Sequence, residues 1–153
     1  MALAMMADEW LMDCESPEAT ERLAQRVARG LRGGEVISLE GDLGAGKTFF
    51  TRVLAHALGV VDNVASPTFV LQRIYAVQDG PVRTLFHYDV YRLEHYDELA
   101  DLGFEEMPDD AVALVEWGGK FVSALPAGTV RIIFEVTGDE ERRVQVLNAP
   151  AGW

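Results

Sequence analysis

The sequence predicts an α/β fold of three layers around a mixed central sheet that carries two β-hairpins, and three observations predict it. A short apolar run, Val36 to Leu39, opens into a glycine-rich loop that a helical pattern follows. A second run, Ala111 to Val115, is apolar without interruption, as a strand covered on both faces has to be. Two further β-rich stretches turn on Asp79-Gly80 and Gly138-Asp139, pairs that tolerate the positive φ of hairpin turns. Parallel crossovers and hairpins together make the sheet mixed.

The elements follow in order. Ser16, Pro17 and Glu18 form an N-cap, a first-turn proline and an acid near the positive end of a helix. Ala19, Leu23, Val27 and Leu31 recur every fourth residue, widened by Ala24 and Ala28, and Gly33-Gly34 is the expected stop. The strand Val36 to Leu39 leads into the loop, after which a helix carries Phe50, Val53, Leu54 and Leu58 inward and ends at Gly59. Thr68 to Val77 and Arg83 to Val90 make the first hairpin. Tyr96 to Met107 predicts a short helix broken near Gly103, and Ala111 to Val115 a parallel strand ending at Glu116. Val130, Ile132, Phe134 and Val136, then Val144 and Val146, alternate as the second hairpin. No repeat or linker divides the chain, so one domain over residues 1–153 is expected.

Composition narrows the function. Lys and Arg number 13 against 25 Asp and Glu, a formal charge of −12 that repels nucleic acid phosphates at long range. Unaided binding to RNA or DNA is therefore not expected, whereas binding through a basic partner stays open. The same acidity also serves as an ordinary solubilising surface. Cys14 is the only cysteine, so no disulfide forms within one chain. The Met-rich start carries Asp8 and Glu9 and no basic residue before Arg22, unlike a signal peptide. With no apolar stretch near the roughly 20 residues that span a bilayer, a cytoplasmic protein without a membrane role is expected.

The loop Gly41-Asp42-Leu43-Gly44-Ala45-Gly46-Lys47-Thr48 matches G-x-x-x-x-G-K-[ST]. Small residues at this spacing let backbone N–H groups curl round a phosphate, and the following helix aims its positive end at it. Lys47 is placed for the β and γ phosphates and the Thr48 hydroxyl for Mg²⁺. Without strand and helix the glycines would be only a turn; with both, a P-loop NTPase-like fold binding nucleotide is the reading. The metal of such a loop needs a further acid at a neighbouring strand end. Glu116, directly after its apolar strand, fits that place, the plain alternative being a polar strand terminus.

His87-Tyr88-Asp89-Val90-Tyr91-Arg92 is the other dense constellation, and strand alternation puts His87, Asp89 and Tyr91 on one side. Asp89 reads either as a carboxylate that assists the metal or positions water, or as an Asp satisfied by Arg92 or backbone. His87 reads as structural, and Ser66-Pro67-Thr68 first as a rigid turn.

Together the loop, Ser66-Pro67-Thr68-Phe69, His87 to Leu93, Glu98-Leu99 with Gly103, and Glu116-Trp117 resemble the bacterial TsaE (YjeE) family, in the family's order and over most of the chain. A P-loop alone is common to many NTPases; the combination is specific. The resemblance implies a small ATPase that supports N6-threonylcarbamoyladenosine formation at position 37 of tRNA. It implies ATP and Mg²⁺ on the loop, Thr48 and Glu116 at the metal, and Asp89 as the carboxylate for hydrolysis. It also implies TsaB and TsaD as partners, with TsaD carrying out transfer and tRNA reached only through that complex. Nucleotide contacts from the last hairpin are implied too, with Arg142 the candidate. Phe49 departs from the second Thr of many relatives and is expected to alter helix packing only.

Two other classes compete, a small-molecule kinase and a non-hydrolysing nucleotide switch. Such kinases usually close an arginine-bearing lid over the phosphates, yet Glu94 to Pro108 holds neither Arg or Lys. The sequence does not decide whether an arginine finger acts from another chain, and it does not rank the internal alternatives Arg52, Arg73 and Arg92.

Overall fold

The computed structural model describes residues 3–6, 9–42, 44–65, 72–150 and 153. The strands are β1 (Leu3–Met6), β2 (Glu9–Cys14), β3 (Val36–Glu40), β4 (Gln72–Ala76), β5 (Thr84–Asp89), β6 (Ala111–Glu116), β7 (Val130–Val136) and β8 (Arg142–Leu147). They form one sheet in the order β1-β2-β8-β7-β3-β6-β5-β4. The middle is parallel, β3 pairing with both β6 and β7, and β6 with β5. Antiparallel pairs flank it, β4 with β5 and β7 with β8, the two expected hairpins. Asp79 and Gly80 have φ of 64° and 79°, the positive pair such a turn demands.

Helices α1 (Pro17–Gly30) and α2 (Lys47–Leu58) cover one face; α3 (Tyr96–Ala100) and the 3₁₀ segments Phe104–Glu106 and Gly118–Ala124 cover the other. Alternation along the central strands divides the core between them. Ile37, Leu39, Leu85, Val112 and Leu114 pack toward α1 and α2, whereas Val36, Tyr88, Val90, Ala113 and Val115 pack on the opposite side. β3 and β6 are buried at every residue, which is why both read as continuous apolar runs.

α1 is capped as expected, Ala19 N–H donating to Ser16 Oγ at 3.3 Å, but it stops at Gly30 rather than at Gly33-Gly34. Gly30 packs so closely under Trp153 that a Cβ would lie 2.6 Å from Trp153 Cδ1. Leu31 then turns extended and remains buried. The expected start of the first hairpin at Thr68, with Ser66 to Phe69, lies outside the described residues. The Met-rich start carries two unforeseen strands, β2 joining the sheet through β8 and β1 pairing with β2. In β2, Trp10, Met12 and Cys14 are buried while Leu11 between them is 41% exposed. That apolar outward residue hides the period of two.

Candidate functional site

β3 delivers the chain into the phosphate loop, and the sheet brings two other strand ends beside it. Asp89 and Glu116 are register partners on β5 and β6, and Glu116 is register partner to Leu39 on β3. Register partners share a face, so both carboxylates point to the side where α2 begins. Both are buried, at 4% and 2% exposure.

The loop's glycines have conformational reasons. Gly41 has φ 139°, and a Cβ there would meet Phe134 O of β7 at 2.6 Å. Gly44 and Gly46 have φ of 82° and 109°, and a Cβ on either would meet nothing within 4 Å. Among the described residues, the space beside both glycines is therefore open. Gly46 caps α2, whose first residues are Lys47 and Thr48. Leu43 falls outside the described residues.

Lys47 Nζ donates to the carbonyls of Gly41 and Asp42, the latter at 3.0 Å. Burial lowers its pKa, against which the charges of Glu116, Asp42 and Asp89 act to raise it. Thr48 Oγ1 donates to Glu116 Oε1 at 3.3 Å, and Glu116 Oε2 meets His87 Nε2 at 2.6 Å. Asp89 Oδ1 accepts from the Tyr91 N–H at 2.9 Å, the backbone contact of its plainer reading. Thus Lys47, Thr48, Asp89 and Glu116 converge from three elements far apart in sequence.

This donor set fits magnesium and a phosphate chain. Mg²⁺ takes few protein ligands, characteristically one or two carboxylates or hydroxyls, and fills its shell with water and phosphate oxygens. Thr48 and Glu116 supply one hydroxyl and one carboxylate in contact. Among the described residues no cluster of three or more His, Cys, Asp or Glu forms a closed cage for a metal. A cleft of 210 Å³ adjoins the loop at Ala45 and Gly46, lined by Pro17, Thr20, Phe49 and Glu140 as well as Arg142. Phe49, beyond helix packing, thus forms part of this wall.

Arg142, from the start of β8, grips the loop from outside. Its Nε donates to Ala45 O at 3.0 Å and its Nη2 to Gly44 O at 3.4 Å, while Nη1 binds the hairpin carbonyls of Gly138, Asp139 and Glu141. The guanidinium joins the hairpin turn to the phosphate loop.

Two supports escaped the sequence reading. Arg131 on β7 pairs bidentately with Glu40, at 2.8 and 2.7 Å, and Ser38 Oγ donates to the same carboxylate at 3.0 Å. Glu40 immediately precedes Gly41, so this cluster anchors the loop's base. Lys120 Nζ donates to the carbonyls of Tyr91, at 2.8 Å, and Leu93, tying the segment after β6 to the loop after Asp89. Each joins residues distant in sequence, and nothing local to Arg131 or Lys120 marks its partner.

No helix of the described chain is long and apolar enough to cross a membrane. A family model described as threonylcarbamoyl adenosine biosynthesis protein TsaE matches residues 14–144. The tRNA threonylcarbamoyladenosine biosynthesis protein TsaE of Bacillus subtilis is 43% identical over 130 residues, which cover 84% of this chain and 79% of the relative. Its namesake from Streptomyces coelicolor is 41% identical over 137 residues, covering 86% and 91%. The crystal structure of Bacillus subtilis YdiB is similar with a TM-score of 0.71 at 34% identity, over 94% of this chain and 87% of that one.

Proposed function

The chain belongs to the TsaE family, and on that premise we propose that it is a magnesium-dependent ATPase serving N6-threonylcarbamoyladenosine formation in tRNA. The observation that carries the reading is the convergence of Lys47, Thr48, Glu116 and Asp89 at one end of the parallel strands, beside an open glycine loop.

In this reading the loop's N–H groups and the first turn of α2 hold the phosphates, and Lys47 exchanges its carbonyl partners at Gly41 and Asp42 for phosphate oxygens. Thr48 and Glu116 hold the metal. Magnesium, when bound, supplies charge neutralisation and geometry for phosphoryl transfer. Asp89, its Oδ1 fixed by the Tyr91 N–H, positions the attacking water. The cleft walled by Pro17, Thr20, Phe49 and Glu140 takes the base. Arg142 shapes the loop through the carbonyls of Gly44 and Ala45.

TsaB and TsaD are the proposed partners, TsaD performing the transfer while this chain hydrolyses ATP to reset the complex in the cytoplasm. Phosphate release measured with and without TsaB and TsaD tests the proposal. Partner-stimulated release sustains it. Binding without hydrolysis would leave a nucleotide switch, and phosphate passed to a small molecule would leave a kinase.

A further inference from the structure

Glu116 is withdrawn from water, its side chain 3% exposed. A buried carboxylate needs partners for its oxygens, since burial without them is costly. One oxygen has the Thr48 hydroxyl and the other has His87 Nε2, at 2.6 Å. His87 itself is 0% exposed, and its Nδ1 has no hydrogen-bond partner among the described residues. At 2.6 Å two bare acceptors would repel, so a proton lies between them, and with Glu116 as a carboxylate it is Nε2 that donates to Oε2.

His87 shares its face of β5 with Leu85 and stands in register with Leu114, both fully buried. An aliphatic side chain would fill such a position without leaving a ring nitrogen unpartnered. The imidazole's evident engagement there is with Glu116. From β5 it reaches diagonally to the end of β6, and by holding Oε2 it leaves Oε1 directed at Thr48.

We propose that His87 is a positioning residue for the metal, orienting the Glu116 carboxylate so that Oε1 and the Thr48 hydroxyl present one preformed edge to Mg²⁺. The inference rests on the reading of Thr48 and Glu116 as the metal-holding pair. Outer partners of metal-holding groups commonly change metal affinity about 10–100-fold when removed.

The test is calorimetry of ATP binding, with and without Mg²⁺, for the wild-type chain, His87→Leu and His87→Gln, each checked by circular dichroism. Magnesium should tighten ATP binding to the wild type. His87→Leu should lose about tenfold or more of that gain while its magnesium-free ATP affinity holds, and His87→Gln, whose amide N–H reaches toward Oε2, should recover part of it. A full magnesium gain in folded His87→Leu overturns the proposal, as does equal loss in both variants together with loss of magnesium-free binding. A wild type indifferent to magnesium removes the metal reading itself, and the role of His87 with it.

A measurement on the unaltered chain covers variants that fail to fold. With ¹⁵N-labelled histidine, one of the three imidazoles should show a strongly deshielded, exchange-protected Nε2–H that shifts with Mg²⁺ and ATP together but not with ATP alone. Absence of that resonance, or its indifference to magnesium, overturns the proposal.

Discussion

The Lys47 ammonium lies 3.9 Å from the centroid of the Trp117 ring. Trp117 directly follows Glu116 and adopts φ 65°, a left-handed conformation uncommon outside glycine. Its ring also meets that of Tyr91, at 4.8 Å between centroids. The cation assigned to the phosphates therefore rests on an indole between the two strand ends that bear the carboxylates, a contact that strengthens when desolvated.

Nucleotide binding should thus be visible in Trp117. Phosphate oxygens compete for Lys47, so ATP should change the emission of Trp117 in a chain carrying Trp10→Phe and Trp153→Phe. Lys47→Ala removes the loop's side-chain cation and should lower ATP affinity at least about a hundredfold, by the scale of charge-assisted bonds, and abolish the emission change. Wild-type affinity in Lys47→Ala by calorimetry would remove the phosphate-loop assignment.

Asp89→Asn and Glu116→Gln each remove charge at nearly constant volume. Each should cost about a hundredfold or more in turnover within the partner complex with the fold retained. Thr48→Ala should weaken the magnesium dependence more than nucleotide binding. Near-normal turnover by either acid variant would return that residue to a structural role, and an unchanged magnesium titration would do the same for Thr48.

The central strands and the phosphate loop were legible because each obeys a local rule: unbroken apolarity for β3 and β6, and glycine spacing for the loop. Glu116 was legible as the acid that ends an apolar strand, and Asp89 as one of two open readings, but their common face is set by the β5–β6 register. The supports were not legible. Arg131 and Glu40 are 91 residues apart, Lys120 and Tyr91 29 apart, and only the sheet order makes them neighbours. His87 read as structural because nothing local names Glu116 as its partner. β2 escaped because exposed Leu11 breaks its alternation, and the close packing of Trp153 on Gly30, the last residue of α1, joins residues far apart in sequence that no local signal links.

The Glu40–Arg131 pair should matter to stability beyond an ordinary surface ion pair. The Glu40 side chain is 11% exposed, and Gly119 packs so tightly on it that a Cβ would lie 2.5 Å from Oε1. Arg131→Met leaves that carboxylate with the Ser38 hydroxyl and should cost about 1–3 kcal/mol, a fall in Tm of roughly 3–10 °C for a chain of this size. The double variant Glu40→Gln with Arg131→Met should recover part of the loss. Thermal unfolding decides it; an unchanged Tm in the single variant would show the pair to be energetically idle.

The final prediction concerns partners, and charge sets its terms. A net charge of −12 makes tight tRNA binding by the isolated chain unfavourable, because such binding draws on phosphate neutralisation by Lys and Arg. Association with TsaB and TsaD should instead depend on the nucleotide. The γ phosphate and its metal distinguish ATP from ADP, and on the proposed reading the difference should act through Lys47 and Asp89, which contact Trp117 and Tyr91. Lys120 ties the Tyr91 loop to the segment after Trp117, so a shift at either reaches the surface, where Tyr91 is 55% exposed. A switch requires differential affinity for the two states. Accordingly, binding to the TsaB and TsaD complex should tighten with ATP or a non-hydrolysable analogue, loosen with ADP, and fail to respond in Lys47→Ala. Sedimentation with each nucleotide, beside filter binding of tRNA to the isolated chain, measures both halves. Association indifferent to nucleotide, or tight tRNA binding by the chain alone, would overturn the mechanism.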